Sequence, residues 1–106
     1  MNLLKHKPYR NRKMLDAARD MPCIKCGIDN GTICARHYNG SYQHMYGKGR
    51  GQKCSDLMTA EFCSECDRDF QEGTIRLWPT DAARNAEFLH WIAMTNIRRI
   101  ENGWLG

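Results

Sequence analysis

The most regular apolar pattern of the chain lies near its C-terminus. Pro79 precedes this pattern, Thr80 or Asp81 is a suitable N-cap, and Gly103 stands just past the end. Between these residues, apolar side chains recur at steps of three and four and form one stripe, made of Ala82, Ala86, Leu89, Ala93, Ile97 and Ile100. This spacing predicts a long C-terminal helix with an apolar face.

Shorter patterns predict the remaining elements. The segment RNRKMLDAARDM favours a short N-terminal helix that Pro22 ends, because its few apolar residues share one side. Residues 32–36 and 57–62 are candidate strands, and CSECDRDFQEG predicts a cysteine turn that opens a helix ending at Gly73. The stretch after the first strand is predicted to be a loop because it is rich in glycine: Gly40, Gly47, Gly49 and Gly51. The order of elements predicts a small α+β fold.

A chain of 106 residues fits one domain. We expect residues 1–13 to form a basic N-terminal arm and residues 14–106 to form a single zinc-bound domain. A domain of this size buries only a modest apolar core, so a cross-link such as a structural metal or a disulfide would help to stabilise it. The N-terminus lacks the apolar run of a secretory signal, and no segment suits a membrane span. We therefore expect a cytoplasmic protein, in which paired cysteines indicate metal rather than disulfides.

Two cysteine pairs give the strongest chemical signal. Cys23 and Cys26 form one Cys-x-x-Cys motif, and Cys63 and Cys66 form another. Two such pairs can bring four thiolates to the corners of a tetrahedron around Zn²⁺, which leaves no coordination position open for water. We therefore predict a structural zinc site. A redox-active dithiol is the weaker alternative, because a lone pair would favour it and two matched pairs favour zinc.

Two further cysteines, Cys34 and Cys54, flank the loop between the pairs. The default prediction for each is a free buried thiol, and a disulfide between them is the alternative. The 36 residues that separate Cys26 from Cys63 exceed the separation expected in a compact zinc ribbon. An additional segment is therefore inserted between the two cysteine pairs, and we expect the functional residues to lie in this insert.

Charge is distributed unevenly along this chain, whose net charge is +4. Residues 1–15 and 30–55 carry Lys and Arg but no acid, whereas residues 56–72 carry six acids against one arginine. Two basic stretches beside an acidic one suit a polyanion-binding surface next to a cation site. Basic tails and loops that are simply solvated would give the same pattern.

The elements between the cysteine pairs build a β-hairpin packed on a helix, with zinc at its base. Such a unit can place His37, at the end of the first strand, opposite the start of the acidic helix. A metal ion held by that helix would bind a phosphate oxygen, and the histidine would take a proton from the attacking water. The basic loop would hold the phosphate backbone. The arrangement thus predicts chemistry on nucleic acid.

Four segments of the chain carry a resemblance to a known family: AARDMPC, ARH, CSDLMTAEFCSEC and IENGW. From about Met14 onward the chain is similar to the YbcO-like family of small prophage proteins, which are predicted nucleases. It resembles the HNH, or ββα-metal, superfamily with a four-cysteine zinc site. The resemblance implies a ββα-metal core between a short N-terminal and a long C-terminal helix. It also implies a phage or prophage gene expressed in the cytoplasm of a bacterial host.

The resemblance also assigns roles to single residues. His37 matches the general base, and Asp56 falls at or near the central Asn that helps to orient this histidine. Asp67 stands where the superfamily usually has a metal-binding histidine, and its oxygen ligand suits Mg²⁺ or Mn²⁺. Arg36 precedes His37 where many HNH enzymes have a metal ligand, and an arginine cannot ligate a cation. The implied structural zinc ligands are Cys23, Cys26, Cys63 and Cys66.

These assignments predict a metal-dependent endonuclease that hydrolyses phosphodiester bonds in DNA. His37 would activate water, and a divalent ion near Asp67 would stabilise the developing negative charge. The phosphates would be bound by four basic residues, Arg36, Lys48, Arg50 and Lys53. A dimer would allow a chain this small to cleave both strands.

The loop contains other residues with two interpretations. His44 is a candidate for a missing metal ligand, although an exposed loop histidine is the simpler interpretation. Three tyrosines recur at four-residue steps and are expected to pack against the hairpin, with base stacking as the alternative: Tyr38, Tyr42 and Tyr46.

Two other functions remain open. The departures from the HNH pattern at Arg36, Asp56 and Asp67 favour a zinc-stapled nucleic-acid-binding module without catalysis. A third hypothesis is a protein-interaction adaptor, whose partner surface would include Trp78, Trp91 and Trp104.

Overall fold

The structure, a computed structural model, describes residues 9–40, 42–49, 52–72 and 77–105. Within these ranges the chain forms two strands, β1 (Cys34–His37) and β2 (Thr59–Phe62), and three α-helices, α1 (Arg12–Asp16), α2 (Ser64–Glu72) and α3 (Asp81–Glu101). Short 3₁₀ turns follow α1 at Ala17–Asp20 and lie in the loop at Gln43–Tyr46. The prediction of a small α+β fold with a short first and a long last helix is confirmed. The predicted helix end at Gly73 and the first eight residues of the predicted arm lie outside the described ranges.

The two strands form an antiparallel hairpin. Cys34 pairs with Phe62 at one end, and His37 pairs with Thr59 at the other. The backbone N–H of Ile24 donates to the carbonyl of Glu61 at 2.8 Å, so the first cysteine turn docks on the outer edge of β2. Because α2 begins two residues after β2, both cysteine turns lie near the Cys34 end of the hairpin.

An aromatic cluster joins the hairpin to the two longer helices. Phe62 of β2, Phe70 of α2 and Phe88 of α3 have ring centroids 4.9 to 5.5 Å apart. Tyr38 packs edge-on against Phe88, and Trp78 packs against Phe70. Aromatic pairs of this kind contribute about 0.5–1.5 kcal/mol beyond the area that they bury. This cluster therefore fixes α2 and α3 relative to the strands.

The face that α3 buries differs from the apolar stripe in the sequence. The buried residues are Asn85, Phe88, Ile92, Thr95 and Arg99. Five stripe residues are exposed, and Leu89 is half-buried; the exposed ones are Ala82, Ala86, Ala93, Ile97 and Ile100. The polar residues are buried because they have partners: Thr95 Oγ1 accepts a hydrogen bond from the Glu61 N–H, and Arg99 donates to Thr59. Apolar periodicity alone therefore indicated the wrong face.

The aromatic residues of the loop and of the C-terminal region separate into packed and exposed ones. Tyr38 is buried and Tyr46 is half-buried against it, as predicted, whereas Tyr42 is 51% exposed. A Cβ at Gly40 would overlap the Tyr38 side chain, so glycine is required at that position. Trp78 is buried and cannot contribute to the partner surface that the adaptor hypothesis assigns to it.

Within the described ranges, no helix is both long and apolar enough to cross a bilayer.

Candidate functional site

The two cysteine turns have backbone geometries that point their thiols toward one place. In the first turn the Gly27 N–H donates to the Cys23 carbonyl at 2.9 Å, and Gly27 has a φ of +78°, which glycine adopts without strain. In the second turn Cys63 directly follows β2, and Cys66 lies in the first turn of α2. The sequence predicted two cysteine turns, and this geometry agrees with that prediction. Gly27 relieves backbone strain in the first turn.

The four sulfurs form a compact cluster. The Sγ atoms of the two pairs all lie within 4.8 Å of one another, and Cys26 Sγ and Cys63 Sγ are 3.7 Å apart. A tetrahedral zinc site with Zn–S bonds of about 2.3 Å has sulfur–sulfur edges of about 3.8 Å. The cluster is therefore compatible with a structural metal such as zinc. The sequence predicted all four of its members.

The pKa values of the thiols differ within the cluster. Burial acts to raise the pKa of Cys23, but hydrogen bonds from the backbone of Cys26, Cys63 and Lys25 outweigh it and lower that pKa to about 7. Burial raises the pKa of Cys66, and the neighbouring thiols of Cys63 and Cys23 raise it further. Four thiolates at this spacing repel one another, so full ionisation requires a compensating cation.

A second set of contacts holds the first cysteine turn against α3. The Lys25 ammonium, between two cluster cysteines, lies 3.3 Å from Glu87 Oε1 and 4.9 Å from the centroid of the Phe70 ring. The indole N–H groups of Trp78 and Trp91 both donate to the Glu87 carboxylate. Burial acts to raise the pKa of Glu87, but the two indole donors and Lys25 lower it overall. Sequence analysis did not identify this contact between the first cysteine turn and α3.

The other two cysteines are not part of the cluster. Both are free thiols; Cys54 is buried and Cys34 is half-buried. Cys54 Sγ donates to the carbonyl of Tyr38 at 3.4 Å, and burial raises the pKa of its thiol. The default prediction of a free buried thiol is confirmed for Cys54, whereas Cys34 is free but only half-buried.

His37 and Asp56 form a hydrogen-bonded pair at the far end of the hairpin. His37 Nε2 lies 3.0 Å from Asp56 Oδ1, and the two side chains are 16% and 5% exposed. His37 is the last residue of β1, and Asp56 lies in the turn before β2. The two residues to which the resemblance assigns the roles of general base and orienting partner are therefore in contact.

The N-terminal segment completes the surroundings of Asp56. Arg10 Nη1 donates to Asp56 Oδ1 at 3.3 Å and to the Cys54 carbonyl at 2.7 Å. The backbone N–H of Asn11 donates to Asp56 Oδ2 at 2.7 Å. Both carboxylate oxygens of this buried residue are therefore occupied. Sequence analysis treated Arg10 only as part of a basic arm, because no local pattern links residues 46 positions apart.

Asp67 and His37 line a cleft that we call the Asp67 cleft. It has a volume of about 320 Å³, and its lining includes Arg36, His37, Asn39, Lys48, Lys53 and Asp67. Arg36 Nε lies 3.6 Å from Asp67 Oδ2, so the arginine that precedes the histidine is paired with the acid of α2. Three buried atoms of the lining have no hydrogen-bond partner in the described part of the chain: Arg36 Nε, Asn39 Oδ1 and Asp67 Oδ1.

The remaining predicted residues take different positions. Lys48 and Lys53 line the Asp67 cleft, but Arg50 lies outside the described residues. His44 is exposed, as the simpler interpretation expected. Among residues that the structure describes, the four cysteines are the only group of three or more Cys, His, Asp or Glu side chains close enough to hold a metal. The cleft also contains three polar residues that sequence analysis did not single out, Asn39, Gln43 and Gln71.

No model of a known protein family matches this chain, and no curated protein or solved structure matches it either. The findings that stand without a family assignment are a small α+β fold and a four-cysteine cluster compatible with a structural metal. The resemblance to HNH nucleases rests on the sequence motifs alone.

Proposed function

We propose that this protein is a metal-dependent endonuclease of the HNH type that hydrolyses phosphodiester bonds in DNA. The observation that carries the proposal is the His37–Asp56 pair, which lines a cleft with Arg36, Lys48 and Lys53. The order of β1, β2 and α2, with the cysteine cluster at one end of the hairpin, supports a ββα-metal core. The motifs support a phage or prophage gene that acts in the bacterial cytoplasm.

The proposed general base is His37. Asp56 accepts a hydrogen bond from Nε2–H, which fixes the tautomer and leaves the lone pair of Nδ1 available for a proton from water. Nδ1 has no hydrogen-bond partner among the described residues. The Asp56 carboxylate also stabilises the imidazolium that forms after proton transfer.

Asp67 is the proposed carboxylate ligand of a catalytic Mg²⁺ or Mn²⁺. Its buried Oδ1 has no donor among the residues that the structure describes, and the same is true of Asn39 Oδ1 in the same cleft. Gln71 accepts from Asn39 Nδ2 at 2.9 Å, which leaves the Asn39 carbonyl oxygen as the free acceptor. Oxygen ligands of this kind suit hard cations, and Mg²⁺ keeps several waters in its shell, so few protein ligands are needed. Such an ion stabilises negative charge on the phosphate and the leaving oxygen.

Phosphate binding is the proposed role of the basic lining. Lys48 and Lys53 place positive charge beside His37. Among the described residues, the buried Arg36 Nε makes only the 3.6 Å contact with Asp67 Oδ2, which is too long for a hydrogen bond. A bound phosphate oxygen would satisfy that donor and compete with Asp67 for the guanidinium. Arg36 would then release Asp67 for the cation when substrate binds.

A plasmid-nicking assay with Mg²⁺, Mn²⁺ and EDTA tests the proposal. We expect cleavage with the divalent ions and none with EDTA, and we expect His37→Ala to reduce the rate by about 10²–10⁴-fold without loss of the structural metal. His44→Ala is the matched control, because it removes an exposed loop histidine. Equal rates for His37→Ala and the wild type would exclude His37 from the mechanism.

One observation favours a second candidate, a zinc-stapled nucleic-acid-binding module without catalysis. The Arg36–Asp67 ion pair occupies the acid that a catalytic cation would need. This function predicts binding that weakens steeply with salt and no cleavage with any divalent ion. The nicking assay, combined with a salt series of DNA binding, separates the two candidates.

A further inference from the structure

We propose that a second cleft, on the side of His37 formed by α1, binds the continuation of the nucleic-acid strand through Arg12. The inference rests on the proposed function, because it assumes a nucleic-acid substrate at His37. It extends that function to a binding site that lies outside the Asp67 cleft. We call this second site the Arg12 cleft.

The Arg12 cleft meets the Asp67 cleft at two shared residues. It has a volume of about 480 Å³, and its lining includes Arg10, Arg12, Leu15, His37, Lys53 and Asp56. His37 and Lys53 also line the Asp67 cleft. The proposed general base therefore stands between two clefts, and each cleft carries basic side chains.

The charges of the Arg12 cleft favour an anion. Its one acid, Asp56, has both carboxylate oxygens occupied by His37, Arg10 and the Asn11 N–H. Arg10 is fixed by this contact and by hydrogen bonds to backbone carbonyls, one of which is that of Lys53 at 2.7 Å. Arg10 thus contributes charge but has little freedom to move. Of the other two basic lining residues, Lys53 is shared with the Asp67 cleft, so Arg12 is the cation that belongs to the Arg12 cleft alone.

Arg12 has a partner that a phosphate can replace. Its Nε lies 3.3 Å from Asp16 Oδ1, in a pair whose side chains are 86% and 56% exposed. Exposed pairs of this kind contribute little to stability, so releasing Asp16 costs little. A phosphate group accepts two parallel N–H donors from an arginine and binds it more strongly than an exposed carboxylate pair does.

The shared position of His37 points to the substrate class. A mononucleotide would need only one of the clefts, whereas a polynucleotide cleaved at His37 continues on both sides of the scissile bond. The Asp67 cleft would hold the phosphates on one side, and Arg12 would bind a phosphate on the other. The predicted ligand of the Arg12 cleft is therefore the backbone of a DNA strand.

Binding measured over a salt series tests the inference without cleavage. The wild type, Arg12→Ala and Lys13→Ala would be titrated with a fluorescent DNA oligonucleotide in buffer without added Mg²⁺ or Mn²⁺, and affinity would be followed by anisotropy. Lys13 is the matched control, because it is exposed, adjacent and positive but lines neither cleft. We expect Arg12→Ala to reduce the slope of log affinity against log salt by about 0.7–0.9, the value for one lost phosphate contact. We expect no change of slope for Lys13→Ala.

The outcomes separate this inference from the proposed function. The same change of slope in both variants, or in neither, would overturn a specific role for the Arg12 cleft, whether or not the protein cleaves DNA. A change confined to Arg12→Ala would support it even if the nicking assay showed no cleavage. Circular dichroism and metal content of both variants should equal those of the wild type, since both side chains are exposed.

Discussion

The two ends of the hairpin are held together by different chemistry. At the Cys34 end, β2 continues directly into Cys63, and four thiols converge at the spacing of a tetrahedral metal site. At the His37 end, Thr59 Oγ1 donates to the Asp56 carbonyl at 2.8 Å and accepts from Arg99 at 2.7 Å. One end is thus compatible with stabilisation by a metal ion, and the other is held by hydrogen bonds within the chain.

This difference separates folding from the proposed catalysis. A chelator is expected to act on the cysteine end, where removal of a metal would leave thiolates that repel one another. The groups around His37 are positioned by Asp56 and its partners, none of which is a ligand of the cluster. Substitutions at the two ends are therefore expected to have different consequences for metal content and stability.

The largest effect is expected at the cysteine end. Cys63→Ser should abolish metal binding and unfold the chain, because structural zinc supplies about 10–16 kcal/mol of apparent binding free energy in small zinc domains. Elemental analysis and thermal unfolding with and without EDTA measure this. Cys34→Ser, which changes a thiol outside the cluster, is the control. A Cys63→Ser protein with normal metal content and melting temperature would show that the cluster binds no structural metal.

A smaller loss is expected at the polar network of the other end. Arg99→Met should lower the free energy of unfolding by about 3 kcal/mol, because Arg99 is buried and the substitution leaves Thr59 and Glu61 with fewer partners. Urea denaturation measures the change, and metal content should stay constant. Ile100→Met changes an exposed neighbour and should shift stability by less than about 0.5 kcal/mol. Equal midpoints for both variants would contradict a supporting role of Arg99.

The next effect concerns the carboxylate beside His37. Asp56→Asn should cost about 1–3 kcal/mol of folding stability, because an amide cannot accept from His37, Arg10 and the Asn11 N–H together. Urea denaturation of this variant is compared with that of Asp16→Asn, which alters an exposed acid of α1. If Asp56→Asn were no less stable than Asp16→Asn, the network around His37 would not stabilise the fold.

The smallest effect is expected where the first cysteine turn meets α3. Glu87→Gln should cost about 1 kcal/mol, because it removes the charge opposite Lys25 and weakens the hydrogen bonds from two indoles. Glu101→Gln, at the exposed end of the same helix, is the control for charge. Identical urea midpoints for the two variants would argue against this contact as a support for the cysteine end.

Local patterns predicted the parts of the fold that depend on local chemistry. The cysteine turns, both strands and the long helix follow from motif spacing, turn residues and caps, each of which acts within a few positions. Thr80, for example, accepts from the Ala83 N–H as an N-cap. The four metal-ligand candidates could be named because each pair needs only two intervening residues.

The packed face of α3 and the surroundings of His37 could not be derived in this way. Thr95 and Arg99 can be buried because they form hydrogen bonds with residues 34 and 40 positions away. Apolar periodicity does not reveal such distant partners. His37 and Asp56 were named through motif resemblance, but Arg10 reaches Asp56 across 46 positions. Asn39 and Gln71 likewise meet only when α2 packs beside the end of β1.

The position of Trp78 has a practical consequence for experiments on the cysteine end. Lys25, between the ligand candidates Cys23 and Cys26, lies 5.2 Å from the centroid of the Trp78 ring, and Glu87 accepts from the indole N–H. Trp78 therefore lies beside two charges of the contact that supports the first cysteine turn. We expect its emission, measured in a chain with Trp91 and Trp104 replaced by Phe, to shift when that turn loses a metal.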